Sequence, residues 1–516
     1  MVKRGTITVF LSLLSVLFLS LLCTVIESAR IQGSRAKAAS ALDLGMFSVF
    51  GEFERELLEK YDVFFLDGGQ GSGNYSVGKV NERLQDYMEY NVDSNKDLWF
   101  RGFDLFRLSL NGTKVTGVQL ATDERGAPFY QQAVSFMKEN LATELLAEAV
   151  SYSKDAQLLE KAAEEYEKKE STGEKKLSEL EEKQREEQKQ RESEQQAARE
   201  AAANGEEILL PQETEAQVPK IPANRNPLKV IRKLRKIGIM GLVFGKQKIS
   251  SKKLPKNVPS RRSYRKGNLP VKKTHRGAAA DLLFQNYLFQ RFSLYTDQKR
   301  EGYLDYALEY ILCGKDSDEK NMKSVVTRLL LLREGANFAY LSGDPSKKGE
   351  TDALATLLVG VFAIPELIEA TSYALQLIWA YAESLVDVRE LMHGGKVPIY
   401  KTAADWKTSL SSLPDLLEIL EGTSGKNKVG VSYSGYLQML FTLGKKKAYP
   451  MRALDMIEGC LREKPGTANF RADYAICKME TEADFEIPPV FLKVSAAFLK
   501  TGTVQTSYHA SGSFAY

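Results

Sequence analysis

One uncharged, mostly apolar run, Ile7 to Ile26, lies close to the start of the chain. As a helix, about 20 residues of this kind cover roughly 30 Å, the thickness of the hydrocarbon core of a bilayer. Everything after Arg30 therefore reads as a large domain held at, or released from, one face of a membrane. Three fates compete for the segment. A cleaved secretory signal would use the Ala36, Lys37, Ala38 site, but the apolar region is long, and Glu27, Arg30 and Arg35 separate it from that site. A lipoprotein signal needs a small residue before Cys23, where Leu22 stands. A retained single-pass anchor is the remaining reading, with Lys3 and Arg4 favouring a cytoplasmic N-terminus and an extracytoplasmic remainder. Arg30 and Arg35 on the other flank weaken that charge asymmetry.

Helical periodicity continues past the run. Leu42, Met46, Val49, Phe50, Phe53, Leu57 and Tyr61 recur at helical spacing, which puts them on one face of an amphipathic helix. Gly33 is a possible kink, and no proline interrupts. Two arrangements fit: one helix from Thr6 to Tyr61, on the order of 80 Å long, or an anchor followed by a separate core helix.

The stretches RGTITVF and VIESAR that bracket the run resemble the N-termini of pseudopilin-like proteins of tight-adherence (Tad) pili. Those begin with Arg-Gly and a few small residues, then an apolar span closed by a Glu and an Arg. Arg4 and Gly5 match the processing-site positions, so the resemblance implies possible cleavage between Gly5 and Thr6. Glu27 and Arg30 match the closing pair and are the expected juxtamembrane contacts. The Glu that such proteins carry shortly after the glycine is absent, with Val9, Phe10 and Leu11 in its place. The rest of the chain resembles a family of Gram-positive exported proteins sharing this kind of N-terminus. The stretches ALDLGMFSVFGEFERELLEKYDVFFLD, GIMGLVFGKQKISSKKL, DYALEYILCGKDSDEKNMKSVVTRLLLLREGANFAYL and IWAYAESLVDVRELMHGGKVPIYKTAADW carry the likeness. It implies a place in a pilus-like or envelope assembly and no known chemistry.

Composition divides the chain further. Residues 27–153 read as helix plus hairpin: Leu105 to Leu110 and Thr113 to Leu120 flank Asn111 and Gly112, both of which accept the positive φ of a type I′ turn. Residues 154–217 are dominated by Glu, Lys, Gln, Arg and Ala. Leu158, Leu159, Ala162, Ala163, Tyr166, Leu177 and Leu180 are too sparse for sustained heptads, so a coiled coil would need a partner helix, and a charged single helix or disordered spacer is favoured. Gly173 and the Ala203, Asn204, Gly205 stretch are expected to interrupt any helix. Residues 218–277 read as a basic linker. From Lys220 to Arg276 no Asp or Glu appears, while Lys229, Arg232, Lys233, Arg235, Lys236, Lys252, Lys253, Arg261 and Arg262 do. Such a run suits anionic lipid or wall polymer, or neutralisation by the acidic segment before it. With Phe244 and Tyr264 as the only stacking candidates, sequence-specific nucleic-acid binding is not expected.

Residues 278–464 read as a helical domain, with helix-period stretches from Asp281 to Leu294, Gly302 to Leu312, Glu319 to Tyr340, Asp352 to Phe362 and Glu366 to Met392. Shorter ones lie at Leu413 to Leu420, Tyr433 to Leu443 and Tyr449 to Arg462. Residues 465–516 turn strand-like, at Tyr474 to Met479 and Val490 to Val494, with a polar and aromatic tail from Val504. The fold class that follows is α+β, mostly helical: a long N-terminal helix, a small sheet and a large helical block. Two arrangements fit the strands: early and late strands in one sheet against the N-terminal helix, with the helical block inserted between them, or a separate C-terminal α+β domain.

Catalytic signatures are missing. The three histidines, His275, His393 and His509, stand outside any zinc-ligand spacing. Glu390 and His393 form one Glu-x-x-His pair without the second copy that a di-iron bundle needs, and a surface pair is expected. Asp67 to Gly73, DGGQGSG, lacks the Lys-Ser/Thr of a phosphate loop and reads as a turn. Glu383, Asp387 and Glu390 share a helix face, expected to be solvated, with cation binding as the sharper alternative. Cys460 and Cys477 are expected as independent thiols, not a disulfide. The reading is a non-enzymatic, membrane-anchored envelope component, with no cofactor and no metal. Its partners would be other assembly subunits and the membrane. The alternative is a module whose basic arm binds anionic wall polymer or lipid.

Overall fold

The computed structural model describes residues 2–92, 104–140, 143–203, 222, 225–272, 277–298, 302–360, 364–423, 425–493 and 506–516. In chain order, α1 (Val2–Phe50), α2 (Arg55–Tyr61), β1 (Leu66–Asp67), α3 (Val77–Val92), β2 (Ser109–Leu120), α4 (Asp123–Asn140) and α5 (Thr143–Ala203) come first. Next are α6 (Pro227–Arg235), α7 (Ile239–Phe244), α8 (Ala278–Arg291), α9 (Ala307–Cys313), α10 (Asp318–Gly343), α11 (Pro345–Val359) and α12 (Pro365–Met392). The remainder is β3 (Lys396–Val397), α13 (Leu416–Gly422), β4 (Val431–Ser432), α14 (Tyr433–Leu443), α15 (Tyr449–Arg462), β5 (Ala475–Ile487) and β6 (Thr506–Ala515). These elements make an α+β protein, mostly helical. They fall into two units: residues 1–140, 255–287 and 447–516 in one, residues 141–254 and 288–446 in the other.

The first unit is built on α1 and an antiparallel sheet. Helix α1 runs unbroken through Gly33 for 49 residues, roughly 70 Å, and stops at Phe50. The turn at Gly51 and the Glu54 N-cap then start α2, so of the two arrangements the structure has a long helix followed by a separate short one. Strand β5 is central, with β2 on one side and β1 and β6 on the other. Its alternate residues Met479, Thr481, Ala483, Phe485 and Ile487 are buried. Most of them join Leu42, Met46, Val49 and Phe50 of α1 and Val80, Leu84 and Met88 of α3 in one apolar core. Of the two arrangements that fit the strands, this is the joining of early and late strands against the N-terminal helix.

Several local expectations are corrected. Asn111 and Gly112 do not turn the chain; Leu110 pairs with Phe485 and Gly112 with Asp484, so Asn111 is a bulge inside the single strand β2. Val490 to Lys493 are not a strand: the chain leaves β5 at Pro488 and enters a short helical turn at Phe491, while Val494 lies outside the described residues. The tail is a strand, with Tyr508, Ala510, Gly512 and Phe514 turned inward by the period of two.

In the second unit α5, at 61 residues, is the charged single helix of the two favoured readings, not a disordered spacer over its described length. Leu159, Ala163 and Tyr166 are buried, and the helix packs on α10, α12 and α14 of its own unit. Gly173 does not break it; a Cβ there would lie 2.7 Å from the Tyr373 ring, so glycine permits the close crossing. Asn204 and Gly205 lie outside the described residues. The basic stretch is not a linker. It carries α6 and α7, and its parts belong to both units. Helices α14 and α15 have the bounds read from the sequence; Ser432 caps the first, and Pro450 sits in the first turn of the second.

Candidate functional site

The sequence features with functional promise fall in four places. The first is where the apolar run of α1 ends. Before Cys23 the helix is almost wholly exposed, with Phe10, Leu13, Leu17 and Phe18 each above 60 %. From Cys23 on, one face is covered, through Glu27, Arg30, Ser34 and Ala38. The Arg30 guanidinium meets the Glu27 carboxylate at 2.7 Å, with both side chains buried. It also donates to the carbonyls of Pro488 at 2.6 Å and Leu105 at 3.4 Å. The Glu27 carboxylate accepts from the backbone N–H of Phe491 at 2.8 Å and of Val490 at 3.2 Å. A buried ion pair is tolerable because these partners use its remaining hydrogen-bonding capacity. The pair thus clips two chain segments, 104–106 and 488–491, to α1 one turn beyond the apolar run. Gly5 and Thr6 lie within α1, at its exposed start.

The second place is the DGGQGSG turn. The Asp67 carboxylate accepts from the N–H of Gly69 at 2.8 Å and of Gly71 at 2.7 Å, and Gln70 takes a left-handed φ of 46°. A cavity of about 500 Å³ beside it is lined by Glu52, Glu54, Asp67 and Arg83 among others. Burial raises the Glu54 carboxyl, and the nearby charges of Asp67 and Glu56 add to the rise. Carboxylates around the turn make it a poor phosphate cradle.

The basic stretch is the third. Lys229, Arg232, Lys233 and Lys236 on and beside α6 are exposed, as are Lys253 and Arg261. Arg235 pairs with Glu170 at 3.0 Å and stacks over the Tyr381 ring, and Lys252, also exposed, pairs with Asp305 at 2.7 Å. The Arg262 side chain is buried, 2.7 Å from Glu458 and bonded also to Asp473. Beside it Ser260 donates from N–H and hydroxyl to Asp455. Burial works against the Arg262 charge, but its bonds and contacts with Glu458 and Asp473 outweigh it and push the guanidinium up. Arg262 is a structural staple of the first unit, and its expected role toward a polyanion is withdrawn.

The fourth is the acidic face of α12, which is not solvated. Glu383, Asp387 and Glu390 are buried. Arg333 of α10 donates to Asp387 at 3.0 Å and to the carbonyls of Pro398 and Ile399, while Asn337 bonds Asp387 and Ser384. The Lys401 ammonium sits 2.6 Å from Asp387 and also contacts Glu383. Glu383 further accepts from Thr408, and Glu390 from Lys407 and the N–H of Asn427. Burial tends to raise the Asp387 carboxyl, and the charges of Lys401 and Arg333 overcome it and hold it below the ordinary carboxylate range. Protein cations occupy the places a metal ion would take. Glu390 and His393 are not a surface pair either: Glu390 is buried, and His393 Nδ1 bonds the Arg389 carbonyl. His275 lies outside the described residues, and His509 meets Asp484 at 2.8 Å on the surface. None of the four cysteines is in a disulfide.

A neighbouring carboxyl in the same unit sets a pH dependence. Glu309 is fully buried, accepts from Tyr433 Oη at 2.7 Å and Tyr295 N–H at 2.9 Å, and its Oε2 finds no hydrogen-bond partner among the described residues. Burial raises it from 4.5 to about 7. The unfolded chain loses this proton near pH 4.5 and the folded chain only near pH 7. The stabilisation is therefore complete at low pH and is lost as pH rises through that window, by about 3 kcal/mol. Burial also raises Glu334 of this unit to about 8, so urea unfolding at about pH 5 and about pH 8 should show a loss in both proteins, smaller in Glu309→Gln than in the wild type by about 3 kcal/mol.

Sequence reasoning missed Arg333 and Lys401. Arg333 stands in the apolar run LLLLREGANF of a core helix, and a cation so placed requires a buried anion. No curated protein and no solved structure matches the chain. The family of unknown function DUF5702 matches residues 218–487, from the basic stretch to the last residue of β5. That segment holds the Arg333–Asp387–Lys401 network and the Arg262–Glu458–Asp473 staple. With just over half of its length matched, the chain belongs to the DUF5702 family.

Proposed function

We propose that the chain is a non-enzymatic, membrane-anchored, extracytoplasmic component of a Tad-like pilus or envelope assembly. The observation that carries this reading is the division of labour along α1. Its first half is apolar and exposed, with 6 % of the most apolar window buried, and its second half is the central core helix of the first unit. An anchor that is also a core element holds the folded unit at a fixed distance from the bilayer. The Ala36, Lys37, Ala38 site lies inside this helix with Ala38 fully buried, which argues against signal cleavage there. A long N-terminal helix laid on an antiparallel sheet also suits the pseudopilin resemblance of Arg4, Gly5, Glu27 and Arg30.

A second reading, binding of anionic wall polymer or lipid, draws on the exposed cations Lys229, Arg232, Lys233 and Lys236. Extraction separates the two. An anchored protein stays with membranes through high salt and alkaline carbonate and leaves only with detergent. A protein held by its basic face is released by salt, because screening shortens the reach of surface charges. Release by salt alone would refute the anchor.

A further inference from the structure

We propose that the first unit rests in the lipid headgroup layer through a collar formed by residues 488–493 and 104–107 around α1. This inference builds on the anchor reading and adds to it a second, non-spanning contact with the bilayer.

The argument starts from depth. If the apolar run from Ile7 to Ile26 fills the hydrocarbon, Glu27 begins the headgroup layer, which is roughly 5 to 8 Å thick on each side. Glu27 accepts the N–H groups of Val490 and Phe491, and Arg30, whose side chain leans back toward the helix N-terminus, holds the carbonyls of Pro488 and Leu105. Residues 488–491 are therefore fixed within about one helical turn of the hydrocarbon boundary, and the Leu105 carbonyl reaches the same level, while Phe106, against Gly33, and Asp104, paired with Lys37, climb away from it along α1. Cys23, 7 % exposed, is the first buried position along α1, one turn before Glu27.

The chemistry of the two segments fits that depth. Leu105 and Phe106 are 37 % and 40 % exposed, and Val490 and Phe491 are half-buried. Exposed cations flank them, Arg107 on one side and Lys493 on the other. Aromatic and aliphatic side chains bordered by Lys and Arg are the composition of membrane interfaces, where rings sit among the headgroups and cations meet lipid phosphates. The Phe106 ring lies against Gly33, where a Cβ would come within 2.1 Å of it, so the collar closes directly on α1. The occupant that continues naturally from a lipid-covered helix is the phospholipid leaflet itself.

Depth-dependent quenching tests this on the full chain in liposomes of mixed phosphatidylcholine and phosphatidylglycerol. Phe491→Trp adds emission above that of the native tryptophans. Phosphatidylcholine brominated near the headgroup should remove most of the added signal, and lipid brominated near the bilayer centre much less. Leu105→Trp reports from the other segment should the first variant fold poorly. Phe18→Trp, in the middle of the apolar run, is the control for the anchor and should respond most to deep bromines. Quenching at Phe18→Trp with none at either collar position overturns the collar and leaves the anchor standing. A blue-shifted but unquenched collar tryptophan overturns it by placing that side chain inside the protein's own fold. No quenching at Phe18→Trp overturns the anchor, and the collar with it.

Discussion

Asp387→Ala is expected to unfold the helical unit, or to bring it to the edge of unfolding. The substitution leaves Arg333 and Lys401, both buried, facing each other without the carboxylate that now lies between them at 3.0 Å and 2.6 Å. Stranding a buried charge costs about 3–5 kcal/mol, a large share of a typical domain stability of about 5–15 kcal/mol. The loss should appear in urea unfolding and as accelerated hydrogen exchange in α10 and α12. Asp387→Asn keeps the shape and some hydrogen bonds but not the charge, and should fall between. Replacing Asp387, Arg333, Lys401 and the Lys401 partner Glu383 together by apolar residues of similar volume should recover part of the loss, since a buried network is a weak net stabiliser even when breaking it is costly. An Asp387→Ala protein as stable as the wild type would mean that the network is not closed to water.

Arg30→Ala should produce the second large effect, confined to the first unit. Glu27 would keep the N–H groups of Val490 and Phe491 but lose its counter-ion, and the carbonyls of Pro488 and Leu105 would lose their donor. About 3–5 kcal/mol is again the expected scale. Hydrogen exchange should report it as opening of residues 488–493, with α10 and α12 unchanged. Glu27→Gln retains an acceptor and should cost less. Unchanged protection of residues 488–493 in Arg30→Ala would show that the segment is held by something other than the pair.

What could be read from sequence follows from how local each cause is. The apolar run and the helix-period stretches from Tyr433 to Leu443 and Tyr449 to Arg462 are statements about neighbours along the chain, and the structure has them at those bounds. Asn111 and Gly112 carry the local chemistry of a turn, but whether they turn or bulge depends on β5, which lies far along the chain and pairs on both sides of them. Strand β6 lies in the region read as strand-like but only as its polar and aromatic tail, because its inward positions are small or aromatic residues separated mostly by serines, a pattern that also describes a loop. The acidic face of α12 shows the limit most sharply. Carboxylates at i, i+4 and i+7 mark a solvated helix face as readily as a buried one. The deciding partner, Arg333, lies 54 residues away on another helix. Glu27 and Arg30 were legible as a pair, one turn apart, whereas the backbone groups they hold, more than 400 residues on, were not.

The central claim is that α1 is retained as both anchor and core. Intact-mass spectrometry of the protein taken from membranes tests it most directly. The account predicts a mature chain starting at Met1 or Val2, or at Thr6 if Gly5 is a processing point, so that the apolar run stays joined to the buried face that begins at Cys23. A mature chain starting at Ala39 would contradict it, since the Glu27–Arg30 pair and the whole anchor would be gone from the working protein.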